Sequence, residues 1–109
     1  MNRNVDIVRE ILQTASVQEQ FQPKNDLTTQ HAVLLIDLGY LAGWYVQEND
    51  GRLSYIDVMG LTGKGRALLE AVRDEAVWRK TKHKMGDSLD RAPLEKIRAA
   101  AEEVLRHPE

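Results

Sequence analysis

The stretch over residues 53–85, LSYIDVMGLTGKGRALLEAVRDEAVWRKTKHKM, constrains the fold of this chain more than any other. A strand-like run passes through Leu61-Thr62 into a glycine-spaced helix start, and that helix ends in a tryptophan and a basic run. Upstream, YLAGWYVQ over residues 40–47 is also strand-like, and the two runs flank Glu48-Asn49-Asp50-Gly51-Arg52. Asp-Gly between such runs predicts a β-hairpin, because glycine accepts the positive φ of a tight turn without steric cost. In the second strand neither alternating set is purely apolar; Ile56 and Val58 are expected to be buried and Asp57 to face water.

Helical spacing accounts for most of the rest. Asn4 is a plausible N-cap for a helix carrying Val5, Val8, Ile11, Leu12 and Ala15, with Asp6 near its positive end. The polar connector over 16–26 contains Pro23 and the chain's one phenylalanine, Phe21, around which a short strand is expected. Asp26 is expected to cap a second helix running to Leu38, stopped by Gly39. At about 100° per residue its core face would hold Leu27, His31, Leu34, Leu35 and Leu38, with Thr29, Val33 and Ile36 pointing away. His31 then reads as a core histidine donating one hydrogen bond.

Thr62 caps the third helix, whose residues Gly65, Leu68, Leu69, Val72 and Ala76 share a face. Beyond Arg73 the pattern moves to nearly the opposite side, with Val77, Trp78, Thr81 and Met85. Either the helix breaks near residues 73–75 with Asp74 as a fresh cap, or its far half packs on a different partner. After a turn, Pro93 suits the opening of a last helix. Leu94, Ile97, Ala101 and Val104 form a narrow seam there, too short to stand alone. It must dock on Trp78 and its neighbours, within the chain or across a homodimer. The division expected is 1–85 for the main domain and 86–109 for the docking or dimerising helix.

Length limits the chain to one modest core, at 109 residues. No apolar run of ~18 residues is present, so no membrane span is expected; the absence of cysteine fits a cytoplasmic location. Charge is uneven. Residues 1–60 carry four Lys and Arg against eight acids, whereas 61–85 carry seven against three. A polyanion contact would therefore fall on the second segment. No paired metal ligands, P-loop, nucleophile elbow or dinucleotide fingerprint occurs. No catalytic, cofactor or metal residues are assigned, and the expectation is a protein without enzymatic activity. Gly60-Leu61-Thr62-Gly63-Lys64-Gly65 has the wrong spacing for a phosphate cradle.

The order of elements, with Leu-Thr-x-x-Gly opening a helix after a hairpin, resembles a winged-helix domain: α+β, with a reduced helix-turn-helix, a hairpin wing and extra C-terminal helices. His31-Ala-Val-Leu-Leu-Ile-Asp-Leu-Gly-Tyr-Leu resembles the recognition-helix end HLxLLxxAGLI of winged-helix regulators. More closely, residues 1–12, 31–43 and 61–84 resemble a family of short bacterial and phage proteins carrying a domain of unknown function, distantly similar to YjcQ-like proteins. The tail Ala71-Val-Arg-Asp-Glu-Ala-Val-Trp-Arg-Lys-Thr-Lys is its most specific signature.

That resemblance implies duplex DNA binding, with residues 27–38 in the major groove and 48–52 as the wing. The residues at those places disagree, since the outward helix face holds no Lys or Arg and the wing offers Glu48 and Asp50 against Arg52. The favoured reading is thus a protein–protein module, or a modulator of host or defence machinery, contacting an unknown protein through Thr29, Val33, Ile36 and Asp37. The alternative is a small dimeric DNA-binding regulator using Thr28, Gln30, Lys64, Arg66, Arg79, Lys80, Lys82 and Lys84. Trp78, Leu94, Ile97, Ala101 and Val104 are the expected dimer residues in either case.

Overall fold

A computed structural model describes residues 3–107; Met1 and Asn2 of the first resembling block lie outside them. Among the described residues there are five α-helices and one two-stranded antiparallel hairpin. The order is α1 (Val5–Val17), α2 (Asp26–Asp37), β1 (Leu41–Gln47), β2 (Leu53–Leu61), α3 (Gly63–Val72), α4 (Glu75–Met85), a 3-10 turn (Gly86–Ser88) and α5 (Leu94–Arg106). This mixed α+β arrangement is compatible with a winged-helix-like layout carrying extra C-terminal helices.

Local chemistry explains several of these boundaries. The Asn4 carboxamide oxygen accepts the Asp6 and Ile7 amides at the start of α1. For α2 the cap is Asn25, not Asp26: its side chain accepts the Thr28 amide, and Asp26 is the first helical residue, favourably placed at the positive end of the helix dipole. At the other end Gly39, with φ of 86°, and Tyr40 return their amides to Ile36 and Leu35 in a Schellman arrangement. Gly51, φ 89°, makes the hairpin turn. Asp74 accepts the Val77 amide and starts α4 afresh, so the helix breaks and Ala76 is exposed instead of continuing the buried face of α3.

The core gathers Val5, Val8, Ile11 and Leu12 of α1, Leu68, Leu69 and Val72 of α3, Trp78 of α4, and Leu94, Ile97 and Ala101 of α5. The void left where α1, α3, α4 and α5 meet is about 10 Å³, the lower limit for a single water. The seam of α5 thus docks within the chain, on α3 and α4. Tyr40 reaches the same helix, its hydroxyl donating to Glu95 at 2.6 Å. Burial, reinforced by that bond, holds the Tyr40 phenol well above its ordinary range.

Against expectation, Leu27 and Leu38 are exposed, Leu34 is half-buried, and the buried positions of α2 are His31, Ala32 and Leu35. The reason is that α2 lies between α1 and the hairpin. Two partners rotate and widen its buried arc. His31 is fully enclosed, donating from Nδ1 to the Leu27 carbonyl at 2.7 Å and accepting the Asn4 amide on Nε2 at 2.8 Å. It is the core histidine expected, with a second bond that ties α2 to the start of α1.

Asp6 links α1 to α4: its Oδ1 accepts from Trp78 Nε1 at 2.8 Å and from Lys82 Nζ at 3.1 Å. Partial burial raises its pKa, but the bonds from Trp78 and Lys82 outweigh that and hold the carboxyl below its ordinary value. A lowered folded-state pKa stabilises the fold above the unfolded pKa, and this is lost as pH falls through the folded value. Asp6→Asn is therefore expected to cost about 1 kcal/mol at neutral pH, kept small by solvent screening, and to flatten the acid limb of stability. Urea melts at a series of acid pH values check this; an unchanged acid limb would contradict it.

Candidate interaction surface on the hairpin

Strand alternation gives the hairpin two faces. Tyr45 pairs with Ile56 and Gly43 with Val58 toward the core, while Trp44 pairs with Asp57 and Val46 with Tyr55 on the outer face. The approach on the inner side is close: a Cβ on Gly43 would stand 2.4 Å from the Asp57 carbonyl oxygen and 3.3 Å from Ile36 Cδ1. β1 therefore lies directly on α2.

The outer face is apolar as well. Trp44 is 51% exposed, Val46 44%, Tyr55 39% and Met59, next to the bulge at the hairpin's base, 47%. The Trp44 and Tyr55 rings stack with centroids 4.6 Å apart and planes tilted by 31°. These four make up half of the large apolar side chains exposed among the described residues. A run of that kind on one side of a short sheet exceeds the scattered single exposures of an ordinary surface.

Asp57 belongs to this face by register, yet it is buried, at 4% exposure, and does not face water as the alternation of β2 suggested. The connector explains this. Phe21 forms a one-residue antiparallel bridge with Val58, which brings the connector against β2 at this point. The Gln20 amide then donates to Asp57 Oδ2 at 2.5 Å, while Oδ1 has no partner among the described residues.

Residues 2–89 match the model of a family described as hypothetical protein (DUF2513). The chain belongs to the DUF2513 family. No curated protein and no solved structure matches it. Within this DUF2513 chain the matched segment ends just before α5, which nevertheless completes the core.

The interaction residues expected on α2 are separated by the fold. Thr29 and Val33 line, with Gln30, Gln47 and Arg52, a cleft of about 620 Å³ between α2 and the hairpin tip. Ile36 is not outward: it packs under β1 beside Gly43 and against the core. Asp37 is exposed and accepts the Tyr45 hydroxyl at 2.7 Å.

The DUF2513 residues expected to meet nucleic acid are also dispersed. Thr28 lines a different cleft, against α1 and the connector. Lys64 Nζ donates to the Leu38 carbonyl at 2.9 Å and sits 4.5 Å from the Tyr40 ring centroid, capping α2. Arg66 is exposed on α3. On α4, Lys82 pairs with Asp6 and Lys84 with Glu103. Arg79, Lys80 and Lys84 line, with His83, Glu103 and His107, a groove of about 610 Å³ between α4 and α5. Of the dimer residues, Trp78, Leu94, Ile97 and Ala101 are buried in the chain's own core and Val104 is half-buried.

Among the described residues no group of three or more His, Asp or Glu could hold a metal ion, and no helix is long and apolar enough to cross a membrane. Sequence reasoning missed Trp44, Val46, Tyr55 and Met59 as a surface. The signal was present in the mixed alternation of both strands, which marks a hairpin apolar on two sides.

Proposed function

We propose that this chain is a non-enzymatic, winged-helix-type interaction module, of the kind carried by short bacterial and phage proteins, that docks a partner protein on the outer face of its hairpin. The observation behind this reading is the Trp44–Tyr55 stack with Val46 and Met59 beside it, exposed on a framework fixed from behind by α2. Tryptophan and tyrosine contribute large contact area with little entropy to lose, which is why they dominate the centres of protein interfaces.

The surfaces that a winged helix would turn to DNA do not favour phosphate. The one cation at the hairpin tip, Arg52, is held by Asp50 at 2.7 Å, and Glu48 stands beside them. The groove between α4 and α5 carries the competing reading, a duplex-binding regulator, because four of its lining residues are Arg79, Lys80, His83 and Lys84. Salt-dependent phosphate contact is the signature of that alternative.

Trp44→Ala and Tyr55→Ala are expected to cost about 1 kcal/mol of stability each, the scale of one aromatic pair, and to abolish capture of a discrete protein from the organism that encodes the chain. Reversing Arg79, Lys80 and Lys84 to Glu should leave capture intact. Micromolar binding to random duplex DNA with a steep salt slope, lost in that charge reversal and kept in Trp44→Ala, would overturn the docking reading.

A further inference from the structure

Three polar side chains are buried among the described residues: His31, Thr81 and Asp57. His31 has partners on both nitrogens, and Thr81 donates to the Val77 carbonyl at 2.7 Å. Asp57 differs. Its Oδ2 accepts from Gln20, its Oδ1 accepts from nothing, and no Lys or Arg of the described chain forms an ion pair with it. A carboxylate withdrawn from water with half its acceptor capacity unused is costly to keep, and such a group in a native fold calls for an explanation.

Its position suggests one. Asp57 lies directly across from Trp44 and two residues from Tyr55 on the same face, within the exposed apolar run of the hairpin's outer side. We infer that Asp57, Trp44 and Tyr55 form a receptor for an arginine side chain presented by the docking partner. This rests on the hairpin-docking reading and adds the chemistry of what docks.

The match is specific to a guanidinium. It is planar, so it stacks on a tryptophan or tyrosine face while its edge offers two parallel N–H donors to a carboxylate. Lysine has the charge but neither the plane nor the fork. Gln20, an exposed connector residue, now fills half of that role with one amide donor. An incoming guanidinium replaces that bond and supplies the missing one to Oδ1. The charge balance of residues 1–60, four Lys and Arg against eight acids, also attracts a cationic segment.

The test uses the full chain and two small probes, N-acetyl-arginine methylamide and its neutral isostere N-acetyl-citrulline methylamide. Both are titrated while the Trp44 indole N–H and the Gln20 side-chain amide are followed by NMR. The arginine probe is expected to shift both signals saturably, with citrulline at least about tenfold weaker. Asp57→Asn should abolish the difference between the probes. Gln20→Ala, at an exposed position, should bind arginine more tightly and keeps the test decisive if Asp57→Asn does not fold. Equal responses to the two probes, no response, or weaker binding in Gln20→Ala overturns the inference. Partner capture lost in Trp44→Ala but retained in Asp57→Asn would remove the arginine and leave hairpin docking standing, whereas capture retained in both removes the docking reading itself.

Discussion

Gly65→Ala is expected to destabilise the fold by about 3 kcal/mol or more, even though alanine is the better helix former. A Cβ at position 65 would stand 1.9 Å from the Tyr40 carbonyl oxygen and 2.9 Å from its carbon, both backbone atoms that cannot step aside cheaply. Alanine gains roughly 1 kcal/mol in helix propensity, while forcing extra volume into a packed site costs about 1–3 kcal/mol and more when backbone must move. The clash wins. Gly63, in the same turn, has nothing within 4 Å of its would-be Cβ, so Gly63→Ala should be neutral or stabilising by up to about 1 kcal/mol. Chemical denaturation of the two variants side by side checks the sign of each, and equal effects would contradict the packing account. The glycine-spaced tract after β2 thus serves close approach of α3 to the hairpin's base.

Trp78→Ala carries the second large effect, about 3–5 kcal/mol, the range for emptying a buried aromatic site. That is a large part of the total stability of a domain this size. The indole is 3% exposed, donates to Asp6, and has Lys82 and Arg9 at 5.6 and 6.0 Å from its ring. Trp78→Phe retains most of the volume and loses the N–H bond, for an expected cost of about 1–2 kcal/mol. A tryptophan used only between two copies of the chain would behave differently: its loss would change mass by light scattering while leaving the monomer folded. The expectation here is a lowered melting temperature at constant mass.

The sequence showed those features whose causes are local. The hairpin is legible from Asp50-Gly51, the end of α2 from Gly39, the break before α4 from Asp74 and the shift of apolar phase beyond Arg73. What it hid depends on which element lies next to which. The buried arc of α2 depends on β1 crossing Ile36 at Gly43, which periodicity does not reveal, so helical spacing alone places Leu27 and Leu38 in a core they do not join. Asp57 looked like a solvent-facing residue because nothing nearby in sequence announces that Gln20, 37 positions away, folds over it. Helical periodicity shows that the seam of α5 needs a partner and leaves open whether that partner is the same chain; the fold supplies it from α3 and α4.

The base and the flank of the hairpin are secured very differently. At the base, the Thr62 hydroxyl donates to the Gly39 carbonyl, Lys64 holds the Leu38 carbonyl, and the Thr62 amide reaches Tyr40, so both strand ends are fastened to α2. On the flank, the connector meets β2 through the two reciprocal 3.0 Å bonds of Phe21 and Val58 and the single side-chain bond from Gln20 to Asp57. Small cooperative units with few hydrogen bonds open at far lower free energy than the core does. The connector's hold on β2 is thus slight beside the hairpin's hold on α2, and the Phe21 amide is expected to exchange with solvent before the amides inside the hairpin do.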